Sequence, residues 1–255
     1  MKPGSTFNKQ TSFGLLLQGP PGSGKTTLAM SFPGVLFINA DNNLGGVVRR
    51  MEAQQFKKDW YFGTPYEDDK GTKIEKATDQ WKRFLSLMDE GAKDPLVKTI
   101  VIDNLSSFAS LGLNFIMEDA LRLEGKKIER LRIQDYGTSQ MVWQAICVRL
   151  RTTGKYVIVI SHEDAEKDEV TGIVKYKPNI PGTKLQGMLG GFFSDVWRTE
   201  TKLSGDKVTY LVRTAPAPRA DLKTSIATPT EIIIPEQFEE IWPTIGKYLT
   251  PEQTK

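Results

Sequence analysis

Residues 14–31 read GLLLQGPPGSGKTTLAMS. An apolar run, Leu15, Leu16 and Leu17, stops at Gly19, and a helix-forming stretch begins after Gly24. Between them lies the pattern GxxxxGK[ST], spelled by Gly19, Pro20, Pro21, Gly22, Ser23, Gly24, Lys25 and Thr26, with Thr27 next in line. Glycines let successive backbone N–H groups curl round a phosphate without Cβ clashes. The N-terminus of the adjoining helix adds the positive end of its dipole. Lys25 then reaches β- and γ-phosphates, and the Thr26 hydroxyl is placed to ligate Mg²⁺. So short a pattern also occurs by chance, but here the strand before it and the helix after it are both present. The segment reads as a phosphate-binding loop (P-loop) for ATP with Mg²⁺.

Outward from this loop, Pro33 and Gly34 stop the first helix. Val35–Asn39 comes next as a short apolar run suited to a buried parallel strand, ending in Ala40, Asp41, Asn42 and Asn43. Thr99–Asp103 is a second such run, closed by an acid, the Walker B form whose carboxylate holds Mg²⁺. Tyr156–Ile160 is a third, ending at Ser161 and His162. Helical patterns lie between the strands. Ala77–Gly91 places Trp81, Phe84, Leu85 and Met88 on one face. Ser106–Leu123 is apolar at helical spacing, with Ser106 as its expected N-cap. Asp135–Arg151 brings Met141, Ala145 and Val148 together as an expected core stripe, with Trp143, Ile146 and Leu150 nearby.

Strands alternating with helices indicate an α/β fold, a mostly parallel central sheet flanked by helices. Ligands of such sheets sit at the carboxyl ends of the strands. Those ends carry Gly19, Asp41, Asp103 and His162. Beyond His162, Glu163–Pro181 is polar and charged, with Val170–Ile173 suggesting a short hairpin or mobile excursion. Thr183–Phe193 reads as a short helix. Val196–Thr199 and Val208–Arg213 flank Ser204, Gly205 and Asp206, a signal for a C-terminal antiparallel hairpin. Ala215–Pro229 is a connection, and Pro235–Leu249 a terminal helix containing Pro243. The expected organisation is an arm over 1–12, a core over 13–234, and a C-terminal helix and tail over 235–255.

Composition sets the limits. At 255 residues, 39% hydrophobic and 25% charged, the chain is of ordinary globular type and long enough to bury a core without disulfides. Its single cysteine, Cys147, excludes an internal disulfide and reads as a buried thiol. One histidine, His162, excludes paired-histidine metal sites. No run approaches the roughly 20 apolar residues of a membrane span, and the opening MKPGSTFNKQ lacks signal-peptide architecture. A cytoplasmic protein, in the host cell if phage-encoded, is expected. A net charge of +3 weakly permits a polyanionic partner.

Hydrolysis needs a group that orients or deprotonates the attacking water. Many ATPases place a glutamate directly after the Walker B aspartate, whereas Asp103 is succeeded by Asn104. The available carboxylate is Asp41. Here the layout resembles a family: LFINADNNLG, residues 36–45, resembles the segment of RecA-type recombinases that carries their catalytic acid. Ser161-His162 falls where that family has a γ-phosphate sensor. The excursion over 163–181 resembles the family's DNA-binding loop, and the short helix and hairpin after it resemble the family's next elements. The resemblance covers about Phe13 to Thr214 and is nearest the minimal RecA-like ATPases of bacteriophages. It implies a RecA-like fold and an ATPase acting on single-stranded DNA in recombination or annealing. It also implies a homo-oligomeric ring or filament, and a single-stranded-DNA-binding protein as companion. Asp41 stands where the family usually has Glu, and His162 where it commonly has Gln. Of its short Phe-containing polymerisation motif, Phe7 is the nearby candidate.

Basic residues divide between solvated charge and DNA contact. Lys126, Lys127, Arg130 and Arg132 cluster in GKKIERLRI, diluted by Glu124 and Glu129. They read either as a helix end or as a phosphate-backbone surface. Lys175, Tyr176 and Lys177 interleave charge and aromatic, as stacking beside phosphate contacts requires. Arg213, Arg219 and Lys223 come after the hairpin, where RecA-like proteins carry cations that reach a neighbouring subunit's γ-phosphate. Arg213 is the best placed of them. Three other readings stay open: an AAA-like accessory ATPase acting on a protein, a nucleotide kinase, and a nucleotide-dependent binding module with little hydrolysis.

Overall fold

The structure, a computed structural model, describes residues 13–125, 130–167, 169–170, 172–217 and 219–249. Lys126, Lys127 and Phe7 lie outside these residues. In chain order the elements are β1 (Gly14–Gln18), α1 (Lys25–Ser31), β2 (Val35–Asn39), α2 (Gly45–Ala53), β3 (Trp60–Gly63) and α3 (Ala77–Lys93). Next are β4 (Thr99–Asp103), α4 (Leu105–Glu124), α5 (Ile133–Arg151), β5 (Tyr156–Ser161), β6 (Glu163–Lys167) and β7 (Val174–Pro178). The chain continues with α6 (Thr183–Leu189), β8 (Asp195–Ser204), β9 (Lys207–Arg213), β10 (Glu231–Ile233) and α7 (Phe238–Leu249).

The main sheet runs β10-β9-β8-β1-β5-β4-β2-β3. From β8 to β3 every pairing is parallel, while β8–β9 and β9–β10 are antiparallel. The expected C-terminal hairpin is therefore present, and β10 extends it. From β1 the chain crosses over β5 and β4 to reach β2, so the loop after β1 opens at a topological switch point, where α/β sheets bind ligands.

Alternation along the central strands shows why they are apolar throughout. Leu16, Leu36, Ile38, Ile100, Ile102, Val157 and Val159 enter the core beneath α3, α4, α5 and α6. Their neighbours Leu15, Leu17, Val35, Phe37, Val101, Ile158 and Ile160 enter the other core, beneath α1, α2 and α7. Both faces are covered, so no polar alternation survives. Helix α7 completes the second core, setting Trp242 4.8 Å from Phe32 at the end of α1, ring to ring.

Two helical expectations are corrected. Helix α4 begins at Leu105, and its cap is Asn104, whose Oδ1 accepts from the Ser107 N–H at 3.0 Å; Ser106 instead donates to the Asn179 carbonyl. On α5 the buried residues include Trp143, Ile146, Cys147 and Leu150, whereas Met141, Ala145 and Val148 face outward. The helix carries two apolar stripes, and periodicity alone does not say which is covered. Cys147 is buried as expected, and burial pushes its thiol up to about 12, an inert group.

Candidate nucleotide site

The P-loop emerges from β1 at a point where only glycine fits. Gly19 has φ +154°, and a Cβ there would lie 2.4 Å from Thr199 Oγ1 and 2.5 Å from the Thr199 carbonyl of β8. Ser23 Oγ reaches the same Thr199 Oγ1 at 2.6 Å and the Pro20 carbonyl at 2.7 Å. The loop is thus tied to the sheet on one side and runs into α1 on the other.

Lys25 is buried at the first residue of α1, its Nζ donating to the carbonyls of Gly19 at 2.7 Å and Pro20 at 2.8 Å. Burial holds its pKa below the ordinary lysine value, against the opposing fields of Asp103 and Glu163. Thr26 Oγ1 donates to Asp103 Oδ2 at 3.0 Å, joining the helix start to the end of β4. Asp103 is nearly inaccessible, and burial pushes its carboxyl up to about 6 despite the Thr26 bond.

Asp41 sits beyond the end of β2. Ser107 Oγ donates to its Oδ1 at 2.5 Å, and Asn104 Nδ2 donates to its Oδ2. His162 Nε2 lies 2.9 Å from Asn104 Nδ2 and 3.5 Å from Asp41 Oδ2. In the neutral ring Nε2 accepts from Asn104; once protonated, it is placed to donate to Asp41. The His162 bond, then Ser107 and the histidine's field, hold the Asp41 carboxyl below its usual range against burial. Asn104 therefore serves three groups: its carbonyl caps α4, and its amide faces both Asp41 and His162. In the sequence it reads only as a missing glutamate.

One cavity of about 430 Å³ is lined by Pro21, Gly22, Ser23, Gly24, Lys25, Thr26, Thr27, Asp103 and His162. Its further walls are Asn43, near the end of the 36–45 segment, and residues that no sequence motif marks: Gly46, Val47 and Arg50 of α2 and Tyr210 on β9. Helix α2 begins GGVV and is nine residues long, a weak helical signal. Asp41 is not itself among the lining residues, but its carboxylate lies 3.5 Å from His162, which is. Arg213 lies elsewhere. It faces a second cavity, of about 470 Å³, with Pro20, Tyr176, Arg198, Glu200 and Arg219.

The residues fit a magnesium nucleotide. Gly22 and Gly24 have φ +75° and +91°, the positive-φ backbone from which anion-binding nests are built, and His162 Nδ1 is buried with no partner among the described residues. Thr26 and Asp103 supply hard oxygen ligands side by side. Among the described residues no group of three or more His, Cys, Asp or Glu side chains could hold a metal, so a cation there would share its shell with phosphate and water.

Comparison with known proteins agrees with this geometry. Residues 13–215 match the family described as AAA domain (AAA_24). The chain belongs to this family. No curated protein matches this AAA-domain chain in sequence. Among solved structures it resembles a KaiC-like protein of the hyperthermophilic archaeon Pyrococcus horikoshii, 13% identical with a TM-score of 0.50, over 89% of this chain and 88% of that one. It also resembles the flagellar accessory protein FlaH of Methanocaldococcus jannaschii, 10% identical with a TM-score of 0.45, over 88% and 84%. At such identity the KaiC-like structure speaks for the fold alone, which is that of a RecA-like P-loop ATPase. No described helix of this AAA-domain protein is long and apolar enough to cross a membrane.

The DNA-contact candidates are largely engaged within the fold. Of the two expectations for the segment after His162, a hairpin or a mobile excursion, strand pairing is found: β6 (Glu163–Lys167) runs antiparallel to β7 (Val174–Pro178). On it Lys177 pairs with Glu166, and Arg198 stacks 4.2 Å over the Tyr176 ring, leaving Lys175 exposed. Arg198 also holds Glu163 at 2.8 Å and Glu200 at 2.5 Å. Arg130 and Arg132 precede α5, and Arg132 pairs with Asp135 at 3.1 Å.

Proposed function

We propose that this chain hydrolyses ATP with Mg²⁺ and couples the state of the nucleotide to single-stranded DNA, in recombination or strand annealing of the bacteriophage type. The observation that carries the reading is the Asp41–Asn104–His162 cluster at the mouth of the P-loop, continuous through Glu163 with the β6–β7 hairpin. The loop amides and Lys25 clamp the phosphates, while Thr26 and Asp103 hold Mg²⁺. Bound there, the cation would neutralise charge on the phosphate oxygens. Asp41, kept ionised by its donors, takes the proton of the attacking water. His162 reports the γ-phosphate to the hairpin, whose Lys175, Tyr176 and Lys177 meet the DNA. Arg213 completes the site of the next subunit in a homo-oligomer, and a single-stranded-DNA-binding protein accompanies the assembly in the cytoplasm.

A second reading, an ATPase that works on a protein, is favoured by the hairpin's own charge. Glu163, Asp164 and Glu166 on β6 offset Lys167 of the same strand and Lys175 and Lys177 on β7, leaving the hairpin's strands without net charge. ATP hydrolysis with and without single-stranded DNA, at low and moderate salt, separates the two. Strong stimulation that fades with salt supports the DNA reading. Turnover indifferent to DNA, with no binding at low salt, transfers the function to a protein partner.

A further inference from the structure

Helix α5 buries one apolar stripe and presents another to solvent. Ile133 is 94% exposed, Met141 64% and Val148 53%. With Gly137 and Ala145 these residues recur at helical spacing along about four turns, roughly 22 Å. Met188 of α6 extends the patch sideways, its sulfur 3.0 Å from the Gln140 amide. An apolar face of this length on a helix already anchored by Trp143, Ile146 and Leu150 is a mark of an interaction surface.

Charge narrows the choice of partner. At the carboxyl end, Arg149 and Arg151 are both exposed, and Arg149 touches Asp89 of α3. On the helical projection they fall on either side of Val148. At the amino end stand Arg130 and Arg132. The one acid within α5, Asp135, is buried and accepts from the Arg132 N–H at 2.6 Å. The exposed face thus carries Ile133, Met141 and Val148 with Gln134 and Gln144 among them, ends in arginines on both sides, Arg132 paired with Asp135 and Arg149 with Asp89, and has no exposed carboxylate on its own helix.

We propose that this face of α5 docks an acidic amphipathic helix of a partner protein. Such a helix would lay its apolar residues along Ile133, Met141 and Val148 and set its carboxylates against the terminal arginines. Gly137 and Ala145 lower the surface between these side chains, leaving hollows for the partner's apolar residues. A second α5, packed antiparallel about a two-fold axis, would bring Arg149 and Arg151 onto Arg130 and Arg132, a like-charge opposition. Nucleic acid is poorly served, since no Lys or Arg occurs between Arg132 and Arg149. A bilayer surface favours bulky apolar side chains over hollows.

The test uses the full chain and a fluorescein-labelled four-turn peptide with leucines at i, i+4, i+7 and i+11 and glutamates elsewhere. Its twin carries lysines in place of the glutamates. The acidic peptide is expected to bind at least tenfold more tightly than its twin. The double variant Met141→Ser, Val148→Ser should weaken that binding at least tenfold while turning over ATP as the wild type does. Arg149→Gln with Arg151→Gln should reduce the preference between the twins severalfold, the share supplied by the carboxyl end of the helix. Equal binding of the two peptides, or binding untouched by the stripe variant, overturns the proposal. So does a self-associated wild type that this variant dissociates in sedimentation, or capture of phosphatidylglycerol vesicles or an oligo-dT through the same residues.

Discussion

Thr26 Oγ1 and Asp103 Oδ2 stand 3.0 Å apart, one at the start of the P-loop helix and the other at the end of the strand two places over in the sheet. The contact brings together the two oxygens that a magnesium ion would use, and it does so around a carboxylate almost sealed from water. Ionising that carboxylate without a cation is costly, which is why its pKa rises to about 6. The nucleotide site is thereby set in opposition to the stability of the nucleotide-free fold.

Replacing Asp103 with Asn should make this opposition visible. Because the folded pKa exceeds the ordinary aspartate value, the folded chain holds its proton over a range where the unfolded chain has lost it. Stability from this group therefore falls as pH rises from about 4 to about 6 and stays low above that, by on the order of 2–3 kcal/mol. Asp103→Asn removes the penalty. Its nucleotide-free melting temperature at pH 8 should exceed that of the wild type, and the gap should close near pH 4. Magnesium-dependent ATP binding should be lost in the same variant. A melting temperature below wild type at pH 8 would contradict the account.

Asp41 presents the opposite case, a carboxylate kept ionised by the groups facing it. Asp41→Asn keeps the size of the side chain and removes the proton acceptor. Turnover should drop about 100-fold or more while ATP affinity changes little. Single-turnover hydrolysis beside equilibrium nucleotide binding checks both halves. Asn104→Ala should give a smaller loss of turnover through misplacement of Asp41. It should also cost about 1 kcal/mol of stability from the lost α4 cap.

How far the sequence reaches is clear from particular elements. The five-residue runs at Val35, Thr99 and Tyr156 were legible because strands covered on both faces are apolar at every position and end abruptly in polar residues. The P-loop was legible because its glycines and lysine are fixed by chemistry rather than by neighbours. Less could be read where a residue's surroundings come from far along the chain. Asn104 meets Asp41 and His162 only through the sheet, Tyr210 reaches the nucleotide cavity from β9, and β3 and β10 are too short to stand out.

Helix α5 shows the limit most plainly, since its two apolar stripes have similar periodicity and only tertiary structure assigns one of them to the core. Trp143 is buried beside Trp81 and Phe84, with ring centroids at 5.9 and 6.1 Å. Trp143→Ala should cost about 3–5 kcal/mol. Met141→Ser, on the outer stripe, should change stability by no more than about 0.5 kcal/mol. Urea denaturation of both variants decides the matter, and comparable losses would mean that the outer stripe is buried after all.

Arg213 offers the sharpest test of assembly. Its Nε lies 2.6 Å from Glu200 Oε1 and its Nη1 3.2 Å from Glu231 Oε1, so within one protomer it is held by carboxylates on the two adjacent strands. These pairs are partly exposed and worth about 1 kcal/mol or less each. The charge of a neighbour's triphosphate can therefore draw the guanidinium away. If Arg213 acts across a subunit boundary, Arg213→Ala should lower turnover by about 10³-fold or more and spare nucleotide affinity. Lys25→Ala should be inactive for want of phosphate binding. Mixing the two should restore part of the activity, because an intact P-loop on one protomer can then meet an intact arginine on the next. Wild-type turnover by Arg213→Ala would remove the residue from the mechanism, and a mixture no more active than its components would confine it to its own protomer.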